Sequence, residues 1–128
     1  MTLTLLLAGC GSSDHSDADY LNKELIENIK TLENKPEDCF ALGQVARIYQ
    51  AKQNFQLATD YFEKLMKVCP DDFDSKYQYG VTVLLAGDKE KGLMQMREAI
   101  DNIKKGGDTE YASALEQDYV LWKKLQLH

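Results

Sequence analysis

The sequence predicts an all-α fold of stacked antiparallel helical hairpins, with about six helices and no strands. A repeat of thirty-four residues supports this, because Pro36 and Pro70 are separated by that interval and so are Asp38 and Asp72. Between these positions apolar residues recur every three or four residues, as on one face of an α-helix. At 128 residues, of which 44% are hydrophobic, the chain is long enough for one domain with a core.

Residues 1–18 are predicted to be a signal remnant followed by a flexible tether. The run Leu7-Ala8-Gly9-Cys10 resembles the lipobox of bacterial lipoproteins, in which a peptidase cuts before a diacylated cysteine. The resemblance implies that Cys10 carries the lipid, and Gly11 implies the outer membrane of a Gram-negative cell. No Lys or Arg precedes the apolar run, and the alternative is a cytosolic start with a frayed apolar tail. The run is far shorter than the roughly twenty residues of a membrane-spanning helix.

A capping helix is predicted over residues 19–35. Its larger apolar residues fall on one helical face, and Pro36 follows it because proline cannot continue a helical hydrogen-bond ladder. This helix would cover one end of the repeats. The residues of the apolar face are Leu21, Leu25, Ile29 and Leu32.

Two helical hairpins are predicted, over residues 39–72 and 73–106. Each of their four helices is preceded by a side chain that can accept hydrogen bonds from free backbone N–H groups. Small residues in facing positions let the two helices of a hairpin approach closely. The cap residues are Asp38, Asn54, Asp72 and Asp88, and the small residues are Ala46, Ala58, Gly80 and Gly92.

A last helix is predicted over residues 108–126. Asp108 or Thr109 opens it, after Gly106 and Gly107 have ended the second hairpin. Its apolar side would cover the open face of the second hairpin. The residues on that side are Leu115, Tyr119, Trp122 and Leu125.

The segment 39–106 resembles two tetratricopeptide repeats, a family with small and aromatic residues at fixed places in a thirty-four-residue unit. The first copy supplies Ala46, Tyr49, Ala58, Phe62, Leu65 and Pro70 for this pattern. The second copy supplies Gly80, Val83, Gly92, Met96, Ala99 and Lys104, so it departs from the pattern at Val83, Met96 and Lys104. The resemblance implies a right-handed superhelix of hairpins whose first helices line a groove for a partner.

Transferred onto this sequence, the family's groove positions give seven candidate partner-binding residues. Exposed aromatic and aliphatic side chains in a groove are what a peptide or a partner helix would bury. The alternative is that the last helix already covers part of this set, Leu84 and Leu85 in particular. The candidates are Phe40, Arg47, Gln50, Tyr77, Val81, Leu84 and Leu85.

Cys39 and Cys69 stand at the two ends of the first hairpin. In an antiparallel pair of helices these ends lie side by side, so a disulfide fits the resemblance. Such a bond would persist in the periplasm and not in the cytosol. Two buried free thiols are the alternative.

Composition and motifs argue against other classes of function. A net charge of −6 without a basic stripe argues against a nucleic-acid partner on electrostatic grounds. His15 and His128 are the only histidines, and with three scattered cysteines they form no zinc pattern. No nucleophile with a base and no phosphate-binding loop is visible, so neither an enzyme nor a cofactor is expected.

The function that these patterns favour is protein binding. The first hypothesis is an envelope lipoprotein that acts as an adaptor or assembly factor, held to the membrane by its lipid alone, on the periplasmic face. The second is a cytosolic chaperone for secreted proteins. The third is a structural module that forms homodimers through the helix that contains Trp122.

Overall fold

A computed structural model describes residues 4–125, with side chains from residue 17 onward. Within this range the chain forms six α-helices and no strand, which confirms the predicted all-α class and the number of helices. Consecutive helices are joined by short turns and pack against each other in chain order. The helices are α1 (Thr4–Asn34), α2 (Cys39–Ala51), α3 (Phe55–Val68), α4 (Phe73–Leu85), α5 (Lys89–Lys105) and α6 (Thr109–Leu125).

The predicted repeat reappears in the positions at which the helices start. α2 and α4 begin thirty-four residues apart, as do α3 and α5. The predicted N-cap side chains accept hydrogen bonds from backbone N–H groups three residues further on, which satisfies donors that a helix start leaves free. These pairs are Asp38 with Ala41, Asn54 with Leu57, Asp72 with Ser75 and Asp88 with Lys91.

α4 and α5 approach each other closely at Gly80 and Gly92. A Cβ added at Gly80 would lie 2.7 Å from the carbonyl oxygen of Gly92, and one added at Gly92 would lie 2.6 Å from that of Gly80. No larger residue fits here without a shift of the backbone. Gly87, in the turn between the two helices, has a φ of 115°, a conformation that L side chains rarely adopt.

The core consists of two adjoining clusters of buried side chains. The first lies between α2, α3 and α4, with Leu42 and Phe62 at its centre. The second lies between α4, α5 and α6, with Tyr77 and Met96 fully buried. α4 contributes to both clusters, and eight of its thirteen residues are buried. The hairpins are therefore parts of one domain.

α1 is longer than the predicted capping helix. It begins at Thr4 rather than at residue 19, so it runs through the segment expected to be a flexible tether, and it ends at Asn34. Extending a helix that is already formed costs less than nucleating one, so a helix can continue into residues of weak helix propensity such as Gly11 and Ser12. Near its end α1 packs Leu32 against the first core cluster, while Ile26 remains 56% exposed.

α6 spans Thr109–Leu125, close to the predicted 108–126. The backbone N–H of Tyr111 donates to the Asp108 carboxylate at 3.1 Å, so Asp108 caps the helix. Ala112 and Leu115 are buried against α4 and α5, with Tyr119 and Trp122 packed beside them. One face of α6 thus closes the second hairpin as expected.

Candidate protein-binding surface

The structure separates the seven candidate groove residues into an exposed group and a buried group. Phe40 is 74% exposed and Leu85 is 40% exposed, whereas Arg47 and Gln50 are half-buried. Tyr77, Val81 and Leu84 are 1%, 7% and 4% exposed.

The expectation that Tyr77, Val81 and Leu84 face a partner needs correction, because they lie in the second core cluster. α5 packs directly on α4, with Gly92 against Leu84, and α6 adds Ala112 and Leu115 to the same cluster. The alternative, that the last helix covers Leu84 and Leu85, does not describe Leu85, which remains partly exposed, and Leu84 is buried against α5.

The hydroxyl of Tyr77 ties α4 to α6. It donates a hydrogen bond of 2.5 Å to Oδ2 of Asp118, and Nε1 of Trp122 donates to the same oxygen at 3.2 Å. Burial raises the pKa of Tyr77 well above its usual range, and the bond to the Asp118 carboxylate raises it further. Tyr77 is thus a neutral, bonded side chain that holds two helices together.

One carboxylate, that of Asp74 on α4, is bonded by side chains from α2 and α6. Arg47 on α2 donates from Nη2 to Oδ2 of Asp74 at 3.1 Å, and the Tyr111 hydroxyl on α6 donates to Oδ1. Burial and the Asp74 carboxylate together raise the pKa of Tyr111 to about 12. We call Phe40, Arg47, Asp74 and Tyr111 the first-helix face.

Sequence reasoning did not select Asp74 or Tyr111 as a pair. In the sequence, Asp74 is one of three acidic residues around the start of a predicted helix. Tyr111 lies thirty-seven residues further along the chain. Only the tertiary arrangement brings the two side chains together.

Gln50 is engaged within the protein. Its Nε2 donates to Oγ1 of Thr82 at 2.8 Å, and the Thr82 hydroxyl donates to the carbonyl oxygen of Gln78 at 2.8 Å. Thr82 is fully buried, so this chain satisfies a polar group inside the domain. Gln50 therefore links α2 to α4.

A cleft of about 370 Å³ opens where α4 and α6 begin and α5 ends. Asp72 and Asp108 in its wall are the helix caps, and Asp74 and Tyr111 belong to the first-helix face. The cleft therefore combines acidic groups with aromatic surface next to that face. Its lining is Asp71, Asp72, Phe73, Asp74, Asn102, Ile103, Gly106, Asp108 and Tyr111.

Phe40 stands on the first turn of α2, beside a disulfide between Cys39 and Cys69. The two Cα atoms of the bond are 6.5 Å apart, so it joins the start of α2 to the residue that follows α3. Asp38 caps the same helix start. The backbone that carries Phe40 is therefore fixed by a covalent bond and by a cap.

Cys10, the expected lipid-attachment residue, precedes the side chains that the structure describes. Among the described residues, no helix combines the length and the apolar character needed to cross a membrane. The same residues contain no group of three or more His, Cys, Asp or Glu side chains placed to hold a metal ion. No protein-family model and no curated protein matches this chain.

Proposed function

We propose that this protein is an adaptor of the bacterial cell envelope, which binds another protein through the first-helix face and is anchored by a lipid on Cys10. The observation that carries the proposal is the 74% exposure of Phe40 on a fixed helix start. An aromatic ring left in water on a rigid backbone is typical of the anchor residues that dominate protein interfaces.

The surroundings of Phe40 indicate the chemistry of the partner. Arg47 lies seven residues after Phe40, two helical turns along the same side of α2, and it reaches the Asp74 carboxylate. Further carboxylates line the neighbouring cleft. A segment that inserts an apolar side chain at Phe40 and presents Lys or Arg towards the acidic cleft fits this surface best.

The hairpins, in this proposal, are of the tetratricopeptide type. Helix starts that repeat every thirty-four residues support this assignment, as does the contact between Gly80 and Gly92 in facing positions. The burial of Ala46, Ala58 and Phe62, which are fixed places in the family pattern, supports it as well. Such arrays commonly present their first helices to a partner.

The disulfide supports the envelope part of the proposal. Disulfides persist in oxidising compartments and are kept reduced in the cytosol. The bond between Cys39 and Cys69 therefore agrees with export, which the resemblance of Leu7-Ala8-Gly9-Cys10 to a lipobox also implies. A cytosolic chaperone would not be expected to keep this bond.

Site-specific photo-crosslinking in the native cell tests the binding surface. A photoreactive phenylalanine analogue in place of Phe40 should give a discrete crosslinked product. The same analogue at Met94, which is 52% exposed on α5, should not. In a pull-down without crosslinking, the Phe40→Ser protein should no longer retain the partner identified in this way. The Met94→Ser protein should still retain it. Equal products at both positions would contradict the proposal.

Metabolic labelling with palmitate tests the anchor separately. The wild-type protein should incorporate the label and fractionate with membranes, whereas Cys10→Ala should do neither. Labelling that persists in Cys10→Ala, or a wild-type protein without label, would refute the anchor and leave the binding surface unaffected.

A further inference from the structure

α6 carries an exposed stripe of helically spaced residues on the side opposite its buried face, with the apolar Ala114 and Leu121 within it. The residues of this stripe are spaced alternately four and three positions apart. All of them are exposed. This spacing is that of the contact seam between two packed helices. We define the α6 seam as Glu110, Ala114, Gln117, Leu121 and Lys124.

The second half of the α6 seam exposes apolar surface. Leu121 is 58% exposed, with Val120 at 42% and Leu125 at 62% flanking it. The buried face of the same helix is already packed through Ala112 and Leu115. Neighbouring apolar side chains left exposed on the side away from the core are typical of a contact surface.

The charges at the two ends of the seam indicate what covers it. Glu110 lies in the first turn of α6 and Lys124 in the last. Neither side chain forms an ion pair with another residue of the described segment 17–125. The seam is therefore acidic at its start, apolar in the middle and basic at its end.

We propose that a second copy of this chain covers the α6 seam, with the two α6 helices antiparallel about a two-fold axis between Gln117 and Asp118. This alignment places the small Ala114 opposite the large Leu121 and brings Glu110 within one residue of the position opposite Lys124, each of them twice. The patch is self-complementary, as a two-fold interface requires. A parallel alignment would set Glu110 against Glu110 and Lys124 against Lys124, and would align the helix dipoles unfavourably.

The interface is one helix wide, so the dimer is expected to be weak. It uses none of the residues of the first-helix face, and the two proposals can fail independently.

Sedimentation velocity of the full chain carrying Cys10→Ser tests the dimer, because this variant removes lipid and the unpaired thiol. Over about 10 μM to about 1 mM the sedimentation coefficient should rise from the monomer towards the dimer. Leu121→Asp should weaken association at least tenfold, and Met94→Asp on α5 should not. A monomer at every concentration, or equal effects of both changes, would overturn the proposal.

Charge exchange tests the antiparallel pairing of Glu110 with Lys124. Glu110→Lys and Lys124→Glu should each weaken association severalfold, since each sets like charges against each other. The double variant restores opposite charges at both pairs and should recover wild-type association. If the double variant associates no more strongly than the single variants, the proposed pairing is wrong.

Disulfide trapping in the same Cys10→Ser background tests the orientation. Mixed Ala114→Cys and Leu121→Cys proteins should form a crosslinked heterodimer, and Ala114→Cys alone should not crosslink with itself. Self-crosslinking of Ala114→Cys without the mixed product would indicate a parallel arrangement and overturn the proposal.

Discussion

The backbones of Gly80 and Gly92 are in contact across α4 and α5, with each glycine opposed by the carbonyl oxygen of the other. This contact sets the distance between the two helices and so the position of α5 over the second core cluster. The same pair was expected from the sequence, because small residues recur there at the repeat interval.

Replacing Gly92 by alanine is expected to destabilise the protein by about 1–3 kcal/mol, although alanine is the better helix former. The added Cβ would stand 2.6 Å from the Gly80 carbonyl oxygen and 2.7 Å from the backbone nitrogen of Leu84. Urea unfolding followed by circular dichroism measures the loss. Gly43→Ala is the matched control, because its Cβ would meet Leu65 at an ordinary 3.6 Å. A similar response of both variants would disprove the tight contact.

Removing the Tyr77 hydroxyl with Tyr77→Phe is expected to cost about 1–2 kcal/mol at neutral pH, since the ring stays in the core while Asp118 loses a bonded donor. Asp118 keeps its bond from Trp122, which limits the loss. The free energy of unfolding from urea titration is the measurement.

The alkaline stability of the protein should depend on Tyr77. Its pKa is raised in the folded state above the ordinary value of 10.0, chiefly by burial. The folded state therefore holds the proton more tightly than the unfolded state. The contribution of the protonated Tyr77 to the free energy of unfolding is complete below pH 10 and is lost as the pH rises above 10. Tyr77→Phe should show a shallower decline, not a flat one, because the pKa values of Tyr79 and Tyr111 are raised too. An unchanged slope would contradict the assignment.

The acid stability should depend on Glu116, which accepts two hydrogen bonds from Arg97, at 2.8 and 2.5 Å. This bonding lowers the pKa of Glu116 below its ordinary value of 4.5. The stabilisation is present above pH 4.5 and is lost as the pH falls through the folded-state pKa. The side chains of Arg97 and Glu116 are both more than a third exposed. Their ion pair therefore contributes under about 1 kcal/mol to the free energy of unfolding. The urea midpoint of the wild type should be lower at about pH 3 than at about pH 6, and this difference between the two pH values should be smaller in Glu116→Gln. A difference as wide as in the wild type would count against this pair.

Breaking the disulfide is expected to lower the free energy of unfolding by about 3–4 kcal/mol, because Cys39 and Cys69 close a loop of 30 residues in the unfolded chain. Urea unfolding with and without dithiothreitol measures this. The Cys39→Ser/Cys69→Ser protein is the control, and the reductant should leave it unchanged. If free-thiol titration of the denatured, unreduced protein finds both cysteines, the bond is absent.

The parts of the fold that follow from local chemistry could be predicted from the sequence. Asp38 and Asn54 accept bonds from N–H groups only three residues away, so their role can be read within one helical turn. The repeat interval is equally local, because it records two copies of the same hairpin.

The parts that depend on how α6 docks could not be predicted. Tyr77 and Asp118 are forty-one residues apart, and nothing in the neighbourhood of either residue indicates the other. Val81 was assigned to a groove by the resemblance alone, whereas the structure places it in the second core cluster. The sharing of Asp74 between Arg47 and Tyr111 is likewise a property of three helices in space.

The bond between Cys39 and Cys69 also determines how the molecule carries tension. In a chain pulled between α1 and α6, force arriving at Cys39 passes through the sulfur atoms to Cys69 and bypasses α2 and α3. The first hairpin is then a closed covalent ring that cannot lengthen while the bond lasts. A chain pulled in this way lengthens through the helices outside the ring, α1 and α4 to α6, while Phe40 stays inside it.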